Sequence, residues 1–110
     1  MGCLESRMET LSRKKGELLD EIKRLQFGIQ LETRTYNRIE RGLVFYRNLE
    51  QKMKRTGFNY NLYPRVKTTL IKLKRREEIV TLRLERLTEL INNADQTFNT
   101  VQDELDRQVL

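Results

Sequence analysis

The stretch Lys54-Arg55-Thr56-Gly57-Phe58-Asn59-Tyr60-Asn61-Leu62-Tyr63-Pro64 decides how this chain is built. Lys54 and Arg55 sit where a helix C-terminus favours cations, and Gly57 supplies a residue that accepts the left-handed conformation of a helix end. Pro64 has no amide hydrogen to leave unsatisfied, so it suits the first turn of a new helix, while disfavouring helical geometry at Tyr63. Asn59 and Asn61 are turn and cap formers. One helix is expected to stop here and another to start.

On the N-terminal side, positions Leu4, Met8, Leu11, Lys15, Leu18, Ile22, Leu25, Ile29, Glu32, Tyr36, Ile39, Leu43, Tyr46, Glu50 and Met53 follow a 4-3 spacing. Only Lys15, Glu32 and Glu50 break their apolar character, which marks a heptad seam. On the C-terminal side Val66, Leu70, Leu73, Glu77, Val80, Leu84, Leu87, Ile91, Ala94, Phe98, Val101, Leu105 and Gln108 repeat the pattern, with Glu77 and Gln108 as exceptions. Met53 and Val66 both fall at d, yet thirteen residues separate them where two heptads need fourteen. The two seams are therefore out of phase, and the break between them is real.

These features predict an all-α chain with two long helices, about 4–55 and 65–109, joined by a loop at 56–64. Nearly equal lengths and a central loop favour an antiparallel coiled-coil hairpin, read as one coiled-coil domain over 1–110 and as a segment of a longer protein. The competing architecture is a parallel coiled-coil dimer with a break near residue 60. Ile22 and Ile29 at a, with Leu18 and Leu25 at d, suit a parallel pair. In the hairpin, one register sets Ile29 against Ala94, Leu25 against Phe98 and Lys15 beside Gln108. Residues Leu18, Ile22, Leu25, Ile29, Ile39, Leu43, Leu84, Leu87, Ile91 and Phe98 make up the seam through which the chain is expected to oligomerise. Leu19, Phe27, Leu31, Val44, Phe45, Leu49, Ile71, Ile79, Leu82 and Leu90 lie off that seam. A bare hairpin would leave many of them in water, so self-association or a partner helix is expected.

Composition agrees. Charged residues make up 35% of the 110, Trp is absent, and there is one proline, a profile suited to solvated helices rather than a globular core. No run of about 18 apolar residues offers a membrane span. The lone Cys3 precludes an intrachain disulfide and fits a reducing, intracellular compartment. Met1-Gly2-Cys3-Leu4-Glu5-Ser6 matches the loose pattern for myristoylation, with Cys3 placed for a second acyl chain. That pattern fixes few positions, and an unmodified terminus is the favoured reading. Membrane attachment is expected only if Gly2 and Cys3 are acylated.

Charge is distributed unevenly. From Gln51 to Arg76 there are nine cations and no carboxylate, although the whole chain is only +6. The cations are Lys52, Lys54, Arg55, Arg65, Lys67, Lys72, Lys74, Arg75 and Arg76, and all lie off the a and d positions. Such a field attracts a polyanion. Phe58, Tyr60 and Tyr63 would contact that polyanion or close the end of the hairpin. The last residues are acidic, with Asp95, Asp103, Glu104 and Asp106. An acidic protein surface, tubulin above all, ranks ahead of nucleic acid, which would want aromatics interleaved with cations on a groove. A pure oligomerisation coil is the third reading. Lys15, Glu32, Glu50 and Glu77 would set register or wet the seam, and Tyr36 and Tyr46 read as core aromatics with hydroxyls at the rim.

Catalysis is not expected. The chain has no His, no phosphate-cradling glycine loop, no metal-ligand spacing and no nucleophile beside a base, so no cofactor or metal is anticipated. The segment Glu32-Thr33-Arg34-Thr35-Tyr36-Asn37-Arg38-Ile39-Glu40-Arg41 resembles a stretch in ciliary and axonemal coiled-coil proteins, where Glu-Thr precedes a Tyr and an apolar residue among basic positions. That resemblance implies a scaffold docking proteins onto microtubules at a cilium or spindle. In outline the chain also looks like a kinetochore coiled coil, while the nucleic-acid reading would place it in the nucleus.

Overall fold

A computed structural model describes residues 3–109, with side chains from 6 to 109. Gly2, and the side chain of Cys3, the two residues read as acylation candidates, lie outside that description. Two helices account for nearly all of it: α1 is Cys3–Thr56 and α2 is Tyr63–Val109, with a single 3₁₀ turn at Tyr60–Leu62 between them. Among the described residues there is no strand.

The bend forms as its residues dictate. Gly57, at φ 72°, donates its N–H to Met53 O at 2.9 Å and so caps α1. Glycine takes this left-handed geometry without the steric cost a Cβ would bring. Thr56 Oγ1 donates to Lys52 O at 2.7 Å and accepts from Phe58 N–H at 3.3 Å. Asn59 is also left-handed, at φ 47°, which asparagine tolerates better than most residues, although its side chain makes no cap hydrogen bond. Leu62 N–H then bonds to Asn59 O at 2.8 Å, and α2 begins.

The sequence expectation needs correction at Tyr63. It is helical, at φ −53° and ψ −45°, despite preceding Pro64. Its N–H bonds to Tyr60 O, and its ring stacks on Tyr60 with centroids 5.0 Å apart and planes 7° from parallel. These contacts offset the pre-proline crowding, and α2 starts two residues ahead of the expected 65.

Contacts group the chain into two compact units. Unit 1 takes the chain up to Gln30 and from Arg86 onward; unit 2 is Leu31–Glu85. Each is an antiparallel helix pair. In unit 1, Arg7 meets Glu104, Lys15 meets Phe98 and Gly28 faces Leu87. In unit 2, Glu32 meets Arg83 and Gly42 faces Leu73. Rising numbers on α1 pair with falling numbers on α2, so the hairpin arrangement is seen in both.

The seam positions are where burial occurs. Leu11, Leu18, Val101 and Leu105 form the core of unit 1, with Phe98 against them. Ile39, Leu43 and Val80 form the core of unit 2, joined by Tyr36, Leu70, Leu73 and Leu84. Ile22, Leu25, Ile29, Leu87 and Ile91 are half-buried on the same seam. The ten off-seam apolar residues stay accessible: eight are exposed, while Leu49 and Leu90 are half-buried.

The register lies about one heptad from the anticipated one. Lys15 Nζ stands over the Phe98 ring, 5.9 Å from its centroid, instead of beside Gln108. Phe98 joins the Leu11 and Leu18 cluster where Leu25 was expected, and Gly28 faces Leu87 where Ile29 was to meet Ala94. Two causes are visible. The anticipated register would leave the first turn of α2 facing the bend rather than a helix, whereas here both Met53 and Val66 are buried. Gly28 and Gly42 also admit the Leu87 and Leu73 methyls at 3.6 and 3.4 Å from where a Cβ would stand. Both pairs are fourteen residues apart, so the two notches match the two leucines together.

Candidate docking surface

All nine cations of the Gln51–Arg76 block are exposed. This follows from their positions: the seam takes a and d, and every one of these residues lies elsewhere in the heptad. Only two are ion-paired among the described residues. Lys54 reaches Glu50 at 3.8 Å, and Lys74 reaches Glu77 at 2.7 Å. Lys52, Arg55, Arg65, Lys67, Lys72, Arg75 and Arg76 have no carboxylate within ion-pair distance, and their charge is directed at solvent.

The bend aromatics are arranged around lysines. Lys52 Nζ lies 4.4 Å from the Phe58 centroid, while Lys54 and Lys67 stand 5.8 and 5.5 Å from that of Tyr63. Cation–π attraction at such exposed sites is weak, because water screens the ammonium. The Lys54 ammonium is held above the ordinary lysine range, first by its hydrogen bond with Tyr63 and then by the Glu50 charge. Phe58 and Tyr60 are exposed, so neither plugs the hairpin end; Tyr63 is half-buried. At the start of α2, Arg65, Thr68, Thr69 and Lys72 line a shallow open depression beside Pro64.

Sequence reading missed a polar cluster in unit 2. Glu40 and Glu77 come together across the two helices. The Glu40 carboxyl is pushed above the usual carboxylate range, first by its hydrogen bond to Glu77, then by burial and the Glu77 charge. Glu77 is held below that range, first by the hydrogen bond from Glu40 and next by that with Lys74. Lys74 is raised in turn, chiefly by its hydrogen bond to Glu77. The Tyr36 hydroxyl is raised, with the Glu40 charge as the main cause. Two carboxylates side by side disfavour being charged together, so a proton is held more tightly at Glu40 than at Glu77. No sequence signal marked Glu40, because it lies off the seam and its partner is 37 residues away. Glu32, a seam carboxylate, sets one oxygen 3.8 Å from Arg83, while its buried Oε2 has no hydrogen-bond partner.

No helix among the described residues is long and apolar enough to cross a membrane, and no group of His, Cys, Asp and Glu among them is placed to hold a metal. The chain matches no family model, no curated protein and no solved structure.

Proposed function

We propose that this coiled-coil hairpin is a structural and interaction module, without catalytic activity, whose unit 2 docks on a carboxylate-rich protein surface. The observation that carries this reading is the set of seven exposed cations with no carboxylate partner. Uncompensated charge of one sign raises the local concentration and encounter rate of an oppositely charged partner. Tubulin, with its acidic tails, is the first candidate partner, and the Glu32–Arg41 resemblance adds a ciliary or spindle setting to it. A protein surface is favoured over single-stranded nucleic acid because the bend aromatics are already engaged. Tyr60 and Tyr63 stack on each other, and lysines stand at the Phe58 and Tyr63 rings.

Co-sedimentation with microtubules, before and after proteolytic removal of the tubulin tails, tests this reading. Intact microtubules should retain the protein, and tail removal should weaken binding at least tenfold. Replacing Lys72, Arg75 and Arg76 by Glu, with Lys74 kept to preserve its Glu77 pair, should weaken it similarly while the helical content stays unchanged. Tighter binding to RNA or DNA at matched salt would hand the same residues to nucleic acid. Indifference of every interaction to the triple reversal would leave only an assembly coil.

A further inference from the structure

In an antiparallel pair of helices the e positions border one side of the seam and the g positions the other. In unit 2 the e side is marked by the depression that Leu43, Arg47, Glu50, Leu70, Ile71 and Lys74 line. The g side is marked by the contact of Gly42 with Leu73 and by the ion pair of Arg83 with Glu32. Assigning every charge of Leu31–Glu85 to its heptad position confines the acids to the seam and the e side, while cations occur on both sides, with Arg47, Lys54, Lys67 and Lys74 at e. The exposed acids Glu78 and Glu85 fall at b, and Glu40 falls at e; Glu32, Glu50 and Glu77 fall in the seam. At c, f and g, every formal charge is positive, Arg34, Arg38, Arg41, Arg75, Arg76 and Arg83 among them.

That same side carries four of the six exposed large apolar residues on the helices of unit 2. Leu31, Phe45 and Ile79 lie at c and Leu82 at f, with the half-buried Leu49 at g. Phe45 is 62% exposed and stands edge-on to Tyr46, with centroids 5.1 Å apart, so one edge of its ring is in contact and the rest faces solvent. Gly42, also at g, precedes Phe45 and Leu49 on this side, and the Leu73 methyls pack against it. The apolar residues border the groove between α1 and α2, and cations occupy the f positions outside them.

We infer that this g-side groove of unit 2 is the seat of a third helix, supplied by a partner chain, with an apolar stripe flanked on both edges by carboxylates. The stripe would lie along Leu31, Phe45, Leu49 and Ile79, completing a three-helix coil, and the flanking acids would meet the arginines at c, f and g. A second copy packed through the same face is the wrong occupant, because cations would meet cations. An anionic lipid surface satisfies the charges but imposes no seven-residue spacing, whereas Leu31 and Phe45 stand two heptads apart, as do the Gly28 and Gly42 notches. This inference rests on the reading that Leu31–Glu85 binds carboxylate-rich protein, and it adds that the partner's bound segment is an amphipathic helix rather than a charged tail.

Two synthetic 21-residue peptides test it by titration against the full chain: one helical with Leu at a and d and Glu at e and g, the other with those Leu replaced by Ser at equal charge. The Leu peptide should bind at least tenfold tighter. The double variant Phe45→Ser with Ile79→Ser should remove that advantage and leave the Ser peptide unaffected. On the e side, Val44→Ser with Ile71→Ser, at matched exposure, should change neither. Arg38→Glu with Arg76→Glu should weaken both peptides. Equal binding of the two peptides, with the arginine variant still losing both, would overturn the groove while sparing carboxylate docking. Loss of neither peptide in the arginine variant would overturn both readings. Phe45-dependent capture by phosphatidylserine vesicles without peptide preference would give the face to lipid. Phe45-dependent self-association at sedimentation equilibrium would give it to a second copy.

Discussion

Unit 2 holds fourteen Lys and Arg against six Asp and Glu, whereas the rest of the chain holds eight against ten. Both nevertheless rest on the same kind of seam, with apolar a and d residues from α1 and α2 packed antiparallel. The seams differ in depth. Leu43 and Met53 in unit 2 are 1% and 2% exposed, while Leu11, Leu18 and Leu105 in unit 1 each reach 9%. Packing in a two-helix coil uses only two heptad positions of seven, so the other five can be filled for charge without touching the core. Unit 2 has used them to leave one side without acids, and unit 1 has not.

The largest expected effect challenges the difference in packing depth. Leu43→Ala should cost about 3 kcal/mol and Leu18→Ala about 2 kcal/mol, both within the range for buried leucines. Chemical denaturation would measure the two losses, and amide exchange would locate them. Equal losses would erase the contrast between the units.

Glycine substitutions come next. Gly57→Ala should destabilise the protein by about 1 kcal/mol, because a Cβ is disfavoured at φ 72°. Gly16→Ala should stabilise it by about 0.5–1 kcal/mol, since nothing lies within 4 Å of the added methyl and alanine is the better helix former. Gly42→Ala should fall between them, its propensity gain offset by crowding against Leu73 at 3.4 Å. Thermal melts of the three variants would rank them, and a stabilised Gly42→Ala equal to Gly16→Ala would dispense with the notch.

The smallest effect concerns Glu40. Its folded-state carboxyl is raised, so the folded protein binds that proton more tightly than the unfolded chain. Stability from this group is full below the ordinary Glu range and is lost as pH rises through the raised value. Glu40→Gln cannot lose the proton, so the loss on that limb should disappear. Its melting temperature should exceed that of the parent at pH 7 by more than it does near pH 4. An unchanged difference across that pH range would separate Glu40 from Glu77.

The helices, their break at Gly57 and their seams were legible because each rests on local signals: periodicity, a glycine cap, a proline and a phase slip. The register was not. A heptad repeat is nearly indifferent to a slip of seven residues, and the features that decide it are two glycines outside the a and d positions. Tyr63 misled because the pre-proline rule describes one residue's backbone, while its stacking on Tyr60 and its N–H bond belong to the bend as a whole. The nine-cation block was visible along the sequence, but the wider one-sided face was not. Glu40, Glu50, Glu77 and Glu78 interrupt the cations in linear order and leave them uninterrupted once each charge is assigned to its helix face.

Gly57 and Asn59, the two left-handed residues of the bend, have a bearing on stoichiometry. The apolar seam residues of α1 could pack as well against the α2 of another molecule, were the bend opened. Two torsion angles, at 72° and 47°, thus stand between a hairpin that folds on itself and a pair of exchanged rods with the same interior. The arithmetic of how many polypeptides make one particle is written in those dihedrals and nowhere in the seam.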